Sequence, residues 1–137
     1  MVATISKILP QLEIHSTADL VDLTRKGLNV KFVSDVMIYT GMNNKELSNA
    51  LPISERQLVR YTEGTLLKPE VTERLLRLLH IYDQGYDLFG DREAFQSWMR
   101  SPNWGLGQIS PISLMDTSFG IDMVETVIVR LAHGVYS

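Results

Sequence analysis

The sequence predicts an all-α fold in which a helix-turn-helix region is followed by a small second helical domain. Signals that start and stop helices alternate along most of the 137 residues. Prolines and glycines separate the apolar segments, as expected for helices joined by turns. Apolar residues recur at helical spacing, most clearly in a wide stripe formed by Val71, Leu75, Leu78, Leu79 and Tyr82.

Two helices are expected before the helix-turn-helix. Ser16 and Asp19 have the spacing of a capping box, and Gly27 suits the end of the helix that they start. Residues 28–39 carry apolar side chains at helical spacing, although their β-branched content leaves a strand as the alternative. Gly41 then ends this segment.

Residues 43–61 predict two short helices joined by a turn, which are the parts of a helix-turn-helix. Asn43 can cap the first helix, and Ser54 can cap the second, three residues before Gln57 in a second capping-box pattern. Pro52 lies between them and cannot donate to a continuous helix, so the chain should turn there. The seam between the two helices is expected to contain small or apolar residues: Leu47, Ala50, Leu51, Ile53, Leu58 and Val59.

A long helix should follow the helix-turn-helix. Pro69 suits its first turn, and Gly85 is expected to end or bend it near residues 86–89. Asp91 can cap the next helix, which carries the apolar residues Phe95, Trp98 and Met99.

The last part of the chain begins with a turn-rich loop between Trp98 and Trp104. We expect both tryptophans to pack in the core and hold the loop, with contact to a partner as the alternative. Pro111 should open a brief helix, and Gly120 should precede the final helix. That helix is apolar on more than one side, so it is buried in its own domain or covered by another chain. Ile121, Val124, Ile128 and Leu131 share one face, and Met123, Val127 and Val129 lie off it.

Composition and charge exclude several classes of protein. The chain has no cysteine, so disulfides, thiolate nucleophiles and Cys-based zinc sites are excluded. No apolar run reaches the roughly 20 residues of a membrane span, and no secretory signal is evident, so a cytoplasmic location is expected.

Residues 1–82 carry 10 Lys and Arg against 9 Asp and Glu, whereas residues 83–137 carry 3 against 7. The acidic excess therefore lies in the second part, and a local basic face in the first part is still compatible with the sequence.

No set of residues predicts an enzyme, a metal site or a bound cofactor. The three histidines lie far apart, and none has the spacing of metal ligands. Asp83, Asp87 and Asp91 recur every four residues, which indicates a solvated face or a helix cap more simply than paired catalytic carboxylates. Neither of the common glycine-rich phosphate-binding motifs is present. A small enzyme is therefore the least supported hypothesis.

The second helix of the helix-turn-helix carries side chains suited to DNA. Its exposed face should present arginine and glutamine, which pair with guanine and adenine edges in the major groove, together with Tyr61, whose hydroxyl can bind phosphate. An ordinary helical hairpin with a solvated face is the alternative. Two half-sites would double the few phosphate contacts that one such helix can make, so a homodimer and a near-palindromic site are expected.

From about residue 26 to residue 137 the chain resembles the Xre/MbcA/ParS-type antitoxins, the partners of RES-domain toxins. Residues 46–91, which run from ELSNALPISERQLVRYTEG to the Phe-Gly turn, are similar to the Xre-like helix-turn-helix and the long helix after it. Residues 98–137 are similar to the toxin-binding domain. They contain Pro-Asn, Leu-Gly, Ser-Pro, Asp-Thr-x-x-Gly, Val-Glu and His-Gly-Val-Tyr in the family's order. Gln108 departs from the pattern where the family usually has glycine, and it would be strained if the backbone there needs a positive φ.

The resemblance implies a non-catalytic antitoxin that represses its own operon and neutralises an NAD-depleting or ADP-ribosylating RES-domain toxin. It divides the chain into a segment of unassigned role (1–25), a DNA-binding and dimerisation region (26–90) and a toxin-binding domain (91–137). The residues implied for operator DNA are Ser54, Arg56, Gln57 and Arg60. Those implied to enter the toxin's active site are Gly134, Val135, Tyr136 and Ser137. A stand-alone helix-turn-helix regulator, whose second part only dimerises, is the alternative.

Overall fold

The computed structural model describes residues 1–134, and this part of the chain is all helical, as predicted. Eight α-helices follow one another: α1 (Val2–Ile8), α2 (Thr17–Lys26), α3 (Val33–Thr40), α4 (Asn44–Ala50), α5 (Glu55–Arg60), α6 (Pro69–Phe89), α7 (Arg92–Arg100) and α8 (Ser118–Ala132). Short 3₁₀ turns lie at Pro10–Leu12, Val30–Phe32, Trp104–Leu106 and Pro111–Leu114.

The chain forms two compact units that divide within α6, after His80. The first unit contains α1 to α5 and the first part of α6. The second contains the rest of α6, together with α7 and α8. The predicted functional boundary after residue 90 stays a prediction, because compactness does not say which residues bind DNA or a toxin. No helix within residues 1–134 has the length and apolar character to cross a membrane.

Local capping explains most of the helix starts. Ser16 and Asp19 form the predicted capping box, and Asn43 forms a second one with Glu46. The Ser54 side chain accepts the N–H of Gln57 at 3.0 Å, which is one half of the box predicted at α5. Residues 33–40 are helical, so the strand alternative is wrong for them. The predicted helix starts later than residue 28, because Asn29 forms an isolated β-bridge with Leu66 and residues 30–32 form a 3₁₀ turn.

Hydrogen bonds made by the side chains of Thr72 and Arg74 connect α6 to the rest of the first unit. Thr72 is fully buried, and its Oγ1 accepts the N–H of Leu28 at 3.0 Å while facing the Leu67 carbonyl at 3.4 Å. It thereby supports the short pairing in which the N–H of Leu67 donates to the Leu28 carbonyl at 2.8 Å. Arg74 Nη1 donates to the carbonyl of Ala50 at 3.2 Å. This bond satisfies an oxygen at the end of α4 and so ties the helix-turn-helix to α6.

The second unit is built on an aromatic cluster, which corrects the prediction for Gly85. α6 neither ends nor bends at Gly85 but continues to Phe89. Gly85 is needed because a Cβ there would come closer than 3.0 Å to the ring of Phe95. Phe95 is fully buried and packs against four other rings of this unit: Tyr82, Tyr86, Phe89 and Trp98.

Two further predictions for the second unit are corrected. Trp104 is 80% exposed, so it does not pack in the core, whereas Trp98 is half-buried against Phe89 and Phe95. Gly120 does not precede the last helix but lies inside α8, which starts after the cap residue Thr117. A side chain at Gly120 would collide with the Leu114 carbonyl, so glycine permits α8 to pack on the preceding 3₁₀ turn.

Candidate functional sites

The helix-turn-helix has the predicted seam with one correction. Leu47, Ala50, Leu51 and Leu58 are at most 8% exposed, and Ile53 is half-buried. Val59 is 65% exposed, so placing it in the seam was wrong. One helical residue turns the side-chain direction by about 100°, and Leu58 already occupies the inward direction on α5. Val59 consequently lies on the flank of α5.

The four residues predicted to contact DNA lie on α5 or at its N-cap. Ser54, Arg56, Gln57 and Arg60 are each exposed. Arg56 and Arg60 are four residues apart, and both point away from the direction of the buried Leu58. Ser54 already uses its side-chain oxygen to cap α5, so its hydroxyl hydrogen is what it can offer to a phosphate. The structure therefore brings the four residues to one helix without testing their role.

Two exposed residues of the helix-turn-helix, Lys45 and Val59, were not predicted as DNA contacts, whereas Tyr61 was predicted as a phosphate contact. Lys45 on α4 is exposed, and the first helix of a helix-turn-helix crosses the DNA backbone. Val59 offers an apolar surface of the kind that contacts thymine methyl groups. Tyr61 follows α5 and is half-buried, and burial raises the pKa of its hydroxyl. Its proton is thus retained at neutral pH, and the hydroxyl can donate to a phosphate oxygen. The charge of Lys45 and the apolar character of Val59 were visible in the sequence, but the exposure of these two side chains was not.

The face carries mixed charge. Arg56, Arg60 and Lys45 are accompanied by exposed Glu55 and Glu63. A phosphate backbone would be attracted by the three cations and repelled by the two carboxylates. Such a face makes few favourable phosphate contacts from one copy of the chain.

The second unit presents a different surface, which lies along α8. Ile121, Val124, Val127 and Ile128 are at most 4% exposed and form the buried face of this helix. The opposite side exposes Phe119 by 84% and Met123 by 46%, followed by Thr126 and Arg130. Phe119 and Met123 confirm, for the residues described, that α8 is apolar on more than one side. Val127 was expected off the main apolar face but is buried with it.

A shallow groove of about 280 Å³ runs beside this stripe. The 3₁₀ turn Trp104–Leu106 forms one wall, and the middle of α8 forms the other. Leu106 and Val127 are buried and supply its apolar floor. Its lining residues are Gly105, Leu106, Asp122, Met123, Thr126, Val127 and Arg130.

The segment predicted to enter a toxin begins directly after α8. Gly134 is exposed and has a φ of 74°, a value that glycine adopts readily. The predicted toxin-binding residues Val135, Tyr136 and Ser137 lie outside the described residues. Gln108 has a φ of 67°, which is the positive backbone angle at which we expected strain for this residue.

Two of the residues considered for catalysis or metal binding, His80 and Asp91, have structural contacts. His80 Nδ1 lies 3.2 Å from the Thr4 hydroxyl, and Asp91 caps α7 by accepting the N–H of Glu93. No group of three or more potential metal ligands comes together in the described part of the chain.

Comparison with known proteins identifies both units. Residues 19–80 match the antitoxin Xre-like helix-turn-helix domain, and residues 84–134 match the antitoxin Xre/MbcA/ParS C-terminal toxin-binding domain. The chain is 36% identical over 120 residues to Antitoxin Xre of Yersinia enterocolitica, covering 86% of this chain and 81% of that protein. It is 28% identical over 117 residues to Antitoxin Xre of Photorhabdus laumondii, covering 84% of this chain and 79% of that relative.

Two more similarities are informative. A Sphingobium protein named "Prs ADP-ribosylating antitoxin" is 24% identical over 132 residues, covering 89% of this chain and 83% of its own length. The fold is similar to a chain in the crystal structure of the M. tuberculosis MbcT-MbcA toxin-antitoxin complex, with a TM-score of 0.61 and 25% identity. That match covers 79% of this chain and 96% of the other. The resemblance inferred from the sequence is therefore confirmed, and the chain belongs to the Xre antitoxin family.

Proposed function

We propose that this protein neutralises a RES-domain toxin and represses its own operon by binding operator DNA. The observation that carries the proposal is the match of residues 84–134 to a toxin-binding domain, joined in one chain to an Xre-like helix-turn-helix. DNA and toxin would then be bound by different units, so each activity can be removed without the other. The protein would act in the cytoplasm, where both ligands are available.

The DNA-binding half of the proposal rests on α5 as the recognition helix. Arg56, Gln57 and Arg60 are exposed and can pair with base edges, while Ser54 can contact a phosphate. Because one copy makes few phosphate contacts, we propose that a homodimer binds two half-sites about one helical turn of DNA apart.

Arg60→Ala tests the placement of the recognition helix. We expect operator affinity to fall about 10-fold or more while toxin binding is unchanged, since a base-contacting arginine contributes roughly 1–3 kcal/mol. Binding to the DNA upstream of this chain's gene would be measured by mobility shift at two salt concentrations. Arg25→Ala removes another exposed arginine, on α2, and is the matched control. Equal DNA affinity of the two variants would place the recognition surface elsewhere.

The toxin-binding half of the proposal assigns residues 134–137 to the toxin's active site. A short segment after a glycine can enter a cleft at modest entropic cost, and Tyr136 offers the aromatic anchor that interfaces favour. The printed name of the Sphingobium relative supports a toxin that handles ADP-ribose. We propose no catalytic role and no cofactor for the antitoxin itself.

Deletion of residues 134–137 tests the blocking mechanism. Cells that express the cognate RES-domain toxin should grow with the full chain and arrest with the shortened one. Both chains should shift operator DNA equally, which controls for folding. Full protection by the shortened chain would refute active-site blocking and leave the antitoxin role intact.

The stand-alone regulator is the second candidate, and the exposed helix-turn-helix alone would satisfy it. Co-purification separates the two hypotheses. The antitoxin should retain the RES-domain protein of the adjacent gene through affinity and size-exclusion steps, whereas a stand-alone regulator would elute with only its own copies.

A further inference from the structure

We propose that the groove between the 3₁₀ turn Trp104–Leu106 and α8, together with Trp104, is the surface on which the toxin docks. This inference rests on the proposed toxin-binding function and extends it. The groove would supply the affinity for the toxin, and residues 134–137 would supply the inhibition. Binding and blocking would then be separable.

The first argument is a stripe of exposed side chains along one side of α8. Phe119, Met123, Thr126 and Arg130 follow one another at intervals of four, three and four residues, which aligns them along one side of the helix. Phe119 and Met123 are 84% and 46% exposed within the described structure. A single exposed apolar residue is ordinary, but an aligned pair beside an apolar groove is typical of an interaction site.

The second argument is Trp104. It immediately precedes Gly105, which lines the groove, and its side chain is 80% exposed. Tryptophan is the residue type most enriched among the few that dominate protein interfaces. Trp98, not Trp104, packs against Phe89 and Phe95 in the aromatic cluster of the described residues.

The size and charge of the surface indicate its occupant. A volume of about 280 Å³ suits one or two apolar side chains of a protein better than a drug-sized ligand. Residues 83–137 carry 3 Lys and Arg against 7 Asp and Glu, so a partner with basic residues around an apolar contact is favoured. The groove also lies inside residues 84–134, the part that matches a toxin-binding domain. These observations favour the toxin over a second copy of this chain, whose matching surface would be equally acidic.

The test measures affinity for the cognate RES-domain toxin by titration calorimetry. We expect Trp104→Ala to weaken binding about 30-fold or more, the range of a dominant interface residue. Met123→Lys should weaken binding more than Met123→Glu, because lysine would face a basic partner. Ile38→Ala, which trims a 77% exposed side chain in the first unit, is the matched control and should bind like the unaltered chain. Each altered chain should shift operator DNA normally.

A spectroscopic measurement covers the case in which a variant fails to fold. The unaltered sequence, labelled with 5-fluorotryptophan, has only two fluorine signals, from Trp98 and Trp104. Addition of the toxin should shift the signal of Trp104 more than that of Trp98.

The outcomes distinguish this inference from the proposed function. If the unaltered chain does not bind the toxin, the proposed function fails and this inference fails with it. If the unaltered chain binds but Trp104→Ala and Met123→Lys bind as tightly as Ile38→Ala, only the docking surface is refuted. Dissociation of a homodimer by Trp104→Ala with toxin affinity unchanged would assign the groove to a second copy and also overturn the inference.

Discussion

Gly85→Ala should destabilise the protein, although the same change in an ordinary helix is stabilising. Gly85 lies inside α6, where alanine has an intrinsic advantage of about 0.8–1 kcal/mol. A Cβ at this position would come closer than 3.0 Å to three atoms of the Phe95 ring. The sign of the change therefore depends on whether the ring can move.

The surroundings of Phe95 leave its ring little room to move. Its centroid lies 5.3 Å from that of Tyr82, 5.8 Å from that of Tyr86 and 5.6 Å from that of Trp98. Overpacking of a filled core typically costs about 1–3 kcal/mol. Each displaced aromatic pair forfeits roughly 0.5–1.5 kcal/mol more. After the gain in helix propensity, we expect a net loss of about 1–3 kcal/mol in the free energy of unfolding.

Urea denaturation followed by circular dichroism measures this loss, and a double-mutant cycle identifies its cause. Phe95→Val removes all three ring atoms that would lie within 3.0 Å of the new methyl group. In that background Gly85→Ala should be close to neutral or stabilising. An increase in stability on Gly85→Ala in the unaltered chain, or an equal loss in both backgrounds, would refute the reasoning.

Three further changes test other parts of the structure by the same assay. Thr72→Val should cost about 1–3 kcal/mol because it leaves the buried N–H of Leu28 without its acceptor, whereas Thr72→Ser should retain most of the stability. Asp19→Ala tests linkage: the backbone N–H groups of His15 and Ser16 lower the pKa of Asp19, so its contribution is present above its unfolded pKa and is lost as the pH falls through the folded value. The stability lost on Asp19→Ala should thus be largest at neutral pH and become smaller in acid; a loss that does not change with pH would contradict this. Gln108→Gly should raise stability by about 0.5–1 kcal/mol because it relieves a left-handed backbone, and a loss would show that the Gln108 side chain is needed.

The sequence predicted the features of the fold that depend on near neighbours. The caps at Ser16, Asn43 and Asp91 are local hydrogen bonds, so their residue types and spacing were sufficient. The face of α5 that carries Arg56 and Arg60 was also predictable, because Leu58 fixes the inward direction.

Features that depend on distant contacts were not predictable from the sequence. The sequence does not distinguish a glycine that ends a helix from a glycine that makes room for a neighbouring group. The roles of Gly85 and Gly120 were therefore both predicted wrongly. Tryptophan usually packs in the core, and only the structure places Trp104 in solvent. The groove was missed for the same reason. Its one signal was Met123, which lies off the main apolar face of α8.

Hydrogen–deuterium exchange on the full chain, with and without the RES-domain toxin and operator DNA, tests the central claim most directly. If the two units bind different ligands, the toxin should slow amide exchange around the turn Trp104–Leu106 and the residues that follow α8, and leave α5 unchanged. Operator DNA should slow exchange in α4 and α5 alone. Protection of α5 by the toxin, or none around Trp104, would contradict the account.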